Sequence, residues 1–180
     1  MAEVTNSTSV MLSTVAQNAK AIGYVSLGSL SDEVKAVQVD GVEATAENIK
    51  SGSYKVSRPF NLAYKENDLT DLDKDLIKFI MSEQGQEIVD REGYISLDAE
   101  GSYEAAGLKG KITLAGSTSV APLMDVIKDE YVKLNPDVTI EIQESGSSAG
   151  IQSAMEGATE IGMSSRELKD CLLYTSDAAD

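Results

Sequence analysis

The chain has no histidine and no tryptophan, one cysteine, three prolines and two phenylalanines among its 180 residues. Each scarcity removes a class of chemistry. Without histidine the chain cannot assemble a Ser-His-Asp triad, and the commonest transition-metal ligand is missing. One thiol cannot close an intramolecular disulfide, so no covalent cross-link holds the fold. No apolar run approaches the roughly 20 residues of a membrane-spanning helix, and no basic stretch followed by an apolar one opens the sequence. Positive charge is also scarce: 15 basic residues against 30 acidic ones leave a net charge of −15. A field of that sign opposes nucleic acid and anionic membrane at long range. It leaves a small anionic ligand open, because N–H dipoles act at contact while surface charge is screened within roughly 8–10 Å.

What is present suits a globular protein: 42% of residues are hydrophobic and 25% charged, enough at this length for one core. The apolar spacing predicts a helix over 7–19, a buried strand over 21–27 and a short strand over 34–39 turned by Asp40-Gly41. A short helix over 46–50 capped by Thr45 follows, then a long strand over 54–64 interrupted by Arg58-Pro59. Residues 70–92 form the clearest helical region, with Leu72, Leu76, Ile77, Phe79, Ile80, Ile88 and Val89 on one face and Gly85 as the expected break. Residues 98–110, rich in Gly, Ala and Glu, read as a linker. Beyond them come strand 111–115, helix 119–134, a turn at Asn135-Pro136-Asp137, strand 138–143, helix 149–156 and strand 160–163. Alternating strands and helices define the α/β class, with a mixed, mostly parallel sheet covered by helices on both faces.

Two turns carry the chemistry. Gly116-Ser117-Thr118-Ser119 and Ser145-Gly146-Ser147-Ser148-Ala149-Gly150 each run from an apolar strand into an amphipathic segment. Such turns offer backbone N–H groups and hydroxyls to an anion, and after parallel strands both open on the carboxyl edge of the sheet. The first lacks the Gly-Lys-Ser/Thr ending of a nucleotide loop, and Thr118 or Ser119 can also serve simply as the cap of the next helix. The second fits the pattern of a hydrolase nucleophile elbow with Ser148 as nucleophile, but has neither a histidine nor a lysine at Ser-x-x-Lys spacing to activate it. Asp71, Asp73 and Asp75 mimic the start of a calcium loop, yet Leu76 stands where the glycine belongs and Ser82 where the final glutamate belongs. Acidic residues in a first helical turn already have a role against the helix dipole. No metal site and no cofactor is expected.

The segments Ile112-Thr113-Leu114-Ala115-Gly116-Ser117-Thr118-Ser119, Glu144-Ser145-Gly146-Ser147-Ser148-Ala149-Gly150 and Glu160-Ile161-Gly162-Met163-Ser164-Ser165-Arg166 resemble, in order, the first third of the phosphate-binding proteins of ABC transporters. Ala21-Ile22-Gly23-Tyr24-Val25-Ser26-Leu27, Tyr54-Lys55-Val56-Ser57-Arg58-Pro59, Met81-Ser82-Glu83-Gln84-Gly85-Gln86 and Gly93-Tyr94-Ile95-Ser96-Leu97 resemble the last third. The order is tail first, then head. The resemblance implies a type II periplasmic-binding-protein-like fold: 1–98 as the C-terminal portion of one domain, 99–110 as linker and 111–170 as the N-terminal portion of a second. About one lobe would then be assembled in permuted order.

The last ten residues, 171–180, resemble a translated sequencing adapter and are excluded from this reading.

The resemblance further implies a protein that binds inorganic phosphate, performs no reaction, and delivers its ligand to an ABC permease outside the cytoplasm. Its signal would lie upstream of these residues. Phosphate donors are implied at Thr118 and Ser147, with Ser119 and Ser148 adjacent and Ser165 and Arg166 as the third position. Some members carry aspartate where Ser165 stands, as acceptor for the proton of hydrogen phosphate, so rejection of sulfate is not implied here. The lobe that supplies the rest of the site, a Ser-Gly-Thr turn and an arginine, has no counterpart in these residues. Another oxyanion such as sulfate or molybdate, a serine hydrolase using Ser148, and a scaffold for adhesion or signalling are the rival readings.

Overall fold

The computed structural model describes residue 5 and residues 7–168. The expected adapter-like segment 171–180, with Cys171, lies outside the described residues. Those described form helices α1 (Thr8–Ala16), α2 (Ala46–Lys50), α3 (Asp71–Met81), α4 (Glu83–Arg91), α5 (Ala121–Leu134) and α6 (Ser147–Met155). The strands are β1 (Asn61–Ala63), β2 (Gly110–Gly116), β3 (Val138–Glu144) and β4 (Ile161–Ser164).

The sheet runs in the order β1-β4-β2-β3. Strand β2 pairs parallel with β3 on one side and with β4 on the other, while β1 closes the edge antiparallel to β4. Three parallel strands therefore end together at Gly116, Glu144 and Ser164. Side-chain alternation splits the sheet into two faces. Ile112, Leu114, Ile161 and Met163 face a core shared with Leu76 and Phe79 of α3, Ile88 and Val89 of α4 and Ile127 and Tyr131 of α5. Ala115 and Gly162 face the other way, onto α6. Helices thus cover both faces, as the alternating pattern requires. Full burial of each such aliphatic or aromatic side chain contributes about 1.5–3 kcal/mol.

The long helical region breaks three residues earlier than its glycine suggested. Ser82 ends α3 and caps α4: its backbone is extended (ψ 168) and its Oγ accepts the N–H of Gly85 at 3.2 Å. Gly85 lies inside α4 because a Cβ there would collide with the Phe79 and Ile80 carbonyls. At the front of α3, Asp73 accepts from Thr70 N and Oγ1 in a capping box, and Asp75 is buried further along. Two of the three aspartates of the calcium-like run are therefore committed to structure.

The expected strand 21–27 does not form. That stretch has no regular structure before a 3-10 turn (Leu27–Ser29), and Ile22 and Tyr24 are each 82% exposed. An apolar run becomes a strand only when another backbone pairs with it, and none of the described residues does. Strand 34–39 reduces to a single bridge, Val39↔Val42, around the Asp40-Gly41 turn. There both residues have positive φ (52 and 78), as a type I′ turn requires. The expected 54–64 strand shrinks to β1, which begins two residues after Pro59, a residue with no N–H to donate. The remaining elements fall within a few residues of expectation.

Segment 98–110 is irregular up to Gly110, yet it is pinned. Tyr103 packs edge-on against Phe79 (centroids 5.0 Å apart, 75°), and its hydroxyl donates to Asp75 Oδ2 at 2.6 Å. Tyr131 donates to the same oxygen at 2.7 Å, and Asn135 Nδ2 donates to the Tyr103 hydroxyl at 2.9 Å. Burial, then the hydrogen bond to Asp75, pushes the Tyr103 phenol up to about 12, and the same two causes raise Tyr131. A phenol whose folded pKa exceeds its unfolded value near 10 contributes stability that is full below about pH 10 and is lost as pH rises through the folded value. The urea midpoint is therefore expected to fall between about pH 10 and pH 12. Tyr103→Phe should lower stability near neutrality by about 1–3 kcal/mol and make the alkaline fall shallower.

Candidate functional site at the carboxyl edge of the sheet

The turn after β2 begins at Gly116, whose φ of 144 and contact with Met163 leave no room for a side chain. Its carbonyl accepts two amides from the turn after β3, Ser145 N at 3.0 Å and Gly146 N at 2.7 Å. Ser117 N in turn donates to Met163 O of β4 at 3.0 Å. The two turns and the end of β4 are thereby bonded to one another.

Neither Thr118 nor Ser119 caps α5. The cap position is Val120, which makes no side-chain bond, and Pro122 stands in the first turn, where a missing N–H does no harm. The residue that organises this turn is Ser117, 3% exposed: its Oγ accepts Ser119 N at 3.2 Å and its carbonyl accepts the amides of Val120 and Ala121. Thr118 and Ser119 are half-buried, and the Thr118 hydroxyl lies 3.4 Å from that of Thr8 on α1.

On the other side, Gly146 at φ 85 turns the chain into α6, making Ser147 its first residue. Ser147 Oγ accepts Ser165 N at 3.2 Å and lies 3.5 Å from the Ser165 hydroxyl. Arg166 Nη2 donates to Ser148 Oγ at 2.9 Å. Arg166 forms no ion pair among the described residues. Its backbone is held by Ser164, whose Oγ donates to Arg166 O at 2.9 Å, and by Asn61 Nδ2, which donates to the same carbonyl at 2.9 Å. Ser165 is 7% exposed and Ser148 is exposed.

The six residues singled out thus occupy three adjoining strand ends. Ser147 meets Ser165 and Ser148 meets Arg166, while Thr118 and Ser119 lie on the neighbouring turn, bonded to the others through backbone. The N–H groups of Thr118, Ser147, Ser148 and Ala149 have no partner among the described residues. Unpaired amides at a helix start, hydroxyls and one guanidinium make an edge that donates, suited to an oxyanion. Sequence reasoning passed over Ser117, Asn61 and Thr8. Ser117 sits in the motif, but Asn61 and Thr8 lie over a hundred residues from their partners and carry no local signal.

The fold has counterparts among known proteins. Residues 101–176 match a family model described as "PBP superfamily domain", and the chain superposes on a crystal structure of the phosphate-binding protein of a phosphate ABC transporter from Streptococcus pneumoniae. That match has a TM-score of 0.77 and 45% identity, covering 95% of this chain and 66% of the other. By sequence the chain is 53% identical over 167 residues to the "Phosphate-binding protein PstS 2" of Streptococcus agalactiae, and 46% identical over 168 residues to the protein of the same name in Streptococcus pneumoniae. Each match covers 93% of this chain and 57% of the relative, so the chain spans little more than half the length of these relatives.

The edge depends on α6 lying directly on the strands. Gly150 has no space for a Cβ, which would collide with Ala115 O and the Gly116 Cα. Gly150→Ala is expected to destabilise the protein by about 1–3 kcal/mol, read from the urea midpoint, because two backbones have to move apart.

Proposed function

We propose that this chain is an anion-binding lobe for inorganic phosphate, working as part of the extracytoplasmic solute-binding component of an ABC importer and handing its ligand to the permease. The observation that carries this reading is the convergence of unpaired amides, Thr118, Ser119, Ser147, Ser148, Ser165 and Arg166 at three parallel strand ends. The names of the Streptococcus relatives supply the ligand. Recognition uses dipoles and one guanidinium, which tolerate the net charge of −15 because they act at contact. Placement outside the cytoplasm, on a lipid anchor or in a periplasm, follows from the same kinship.

The lobe binds and does not catalyse. Ser148 accepts from an arginine, a permanent cation that cannot serve as general base. The permuted order belongs to the same proposal: 1–98 as the tail of a binding domain and 111–170 as the head of another, joined through 99–110. The β1–β4 pairing and the apolar core shared across that join support one lobe. The match to the Streptococcus agalactiae relative runs over 93% of this chain, across both parts.

Titration with inorganic phosphate, followed by backbone amide shifts, tests the reading. Weak binding is expected, since about three or four charge-assisted bonds from a second lobe are missing and each contributes roughly 1.5–3 kcal/mol. Shifts should centre on Thr118, Ser147 and Ser165, and Ser147→Ala should weaken binding roughly tenfold or more. Submicromolar affinity, or shifts confined elsewhere, would refute the half-site. Tighter binding of sulfate or molybdate than of phosphate would reassign the ligand.

A further inference from the structure

Helix α1 has no buried residue, and its side chains make one hydrogen-bond contact with the sheet-bearing part among the described residues, from Thr8 Oγ1 to Thr118 Oγ1 at 3.4 Å. The two residues are 110 positions apart. This is also the one side-chain hydrogen bond of Thr118 among the described residues. A threonine hydroxyl has one hydrogen and two acceptor lone pairs. In the anion-free protein either hydroxyl of the pair can donate. A bound oxyanion presents acceptor oxygens, so Thr118 has to direct its hydrogen outward to the ligand. Its lone pair is then left for the hydrogen of Thr8.

We infer that Thr8 is a positioning residue for the anion site: it donates to Thr118 Oγ1 and holds the Thr118 hydroxyl in the orientation that donates to the ligand. The inference rests on the phosphate-binding reading of Thr118. A hydroxyl that accepts one hydrogen bond becomes a stronger donor in the next, so the chain from Thr8 through Thr118 to the anion is cooperative. Ser7 caps α1, its Oγ accepting Val10 N at 3.4 Å, which leaves the Thr8 hydroxyl uncommitted within its own helix.

The test is a double-mutant cycle on the full chain, with inorganic phosphate as the probe and amide shifts as the readout. Thr8→Val keeps the shape and removes the hydroxyl; it should weaken phosphate binding about threefold to tenfold. Thr8→Ser restores the hydroxyl and should stay within about twofold of the parent protein. In a Thr118→Val background, Thr8→Val should produce no further loss, because there is no hydroxyl left to orient. A purely structural role for Thr8 predicts the same loss in both backgrounds, and that result overturns the inference. So does normal affinity in Thr8→Val, or a Thr8→Ser protein as weak as Thr8→Val. If Thr118→Val weakens binding while Thr8→Val does not, only the role of Thr8 falls. If Thr118→Val binds normally, or no phosphate-dependent shift appears at Thr118 and Ser147, the phosphate-site reading falls with it.

Discussion

The carboxyl edge depends on a backbone-to-backbone contact. Helix α6 meets β2 and β4 backbone to backbone at Gly150, which approaches Ala115 O and the Gly116 Cα, while Gly162 faces the Gly150 carbonyl. Gly116, at φ 144, completes the set by turning against Met163. The helix start is thereby brought down to the level of the strand ends, and Ser147 reaches the amide of Ser165. Larger residues at these glycines would lift α6 away and separate the three turns. The donors of the site are therefore placed by close packing some distance behind them.

A second set of contacts, around residues 99–110, ties the residues before this stretch to those after it. Asp75 from α3, Tyr103 from the 99–110 segment, Tyr131 from α5 and Asn135 just beyond it form a buried hydrogen-bonded cluster. Tyr103 and Tyr131 flank Phe79, with centroids 5.0 and 5.4 Å from its ring. The cluster is not fully satisfied, since Asn135 Oδ1 has no partner among the described residues. A buried network of this kind is specific in geometry, because each donor leaves a costly orphan if it moves. Together with the β1–β4 pairing it holds the first segment to the second without any covalent link beyond the chain itself.

Charge and chemistry are arranged on different scales. The molecule as a whole is strongly acidic, yet the edge built by β2, β3 and β4 offers amides, hydroxyls and Arg166. The net charge of −15 opposes nucleic acid and anionic membrane but leaves a small anionic ligand open. The local arrangement suits an oxyanion, because hydrogen-bond donors act at contact distance while the surface field is screened.

Much of this was legible in the residues. Alternating apolar runs specified the α/β class, and the segments from Gly110 to Ser164 took the expected elements because each pairs or packs with a close neighbour in sequence. The two Gly/Ser/Thr turns were legible as hydrogen-bond donors at the carboxyl edge, although glycine and hydroxyl residues between a strand and a helix also serve as ordinary helix caps. Residues 21–27 were apolar enough, and 54–64 alternated enough, to be strands, but a strand exists only beside a partner, and no property of the run itself says whether one is present. The break at Ser82 in place of Gly85 was hidden for a related reason: that glycine serves tertiary contact with the Phe79 and Ile80 carbonyls. The sequence by itself determined which residues can donate to an anion. Tertiary structure decided which of them meet, joining Ser147 to Ser165, Ser148 to Arg166 and Thr8 to Thr118, because those contacts arise only when distant strand ends are packed side by side.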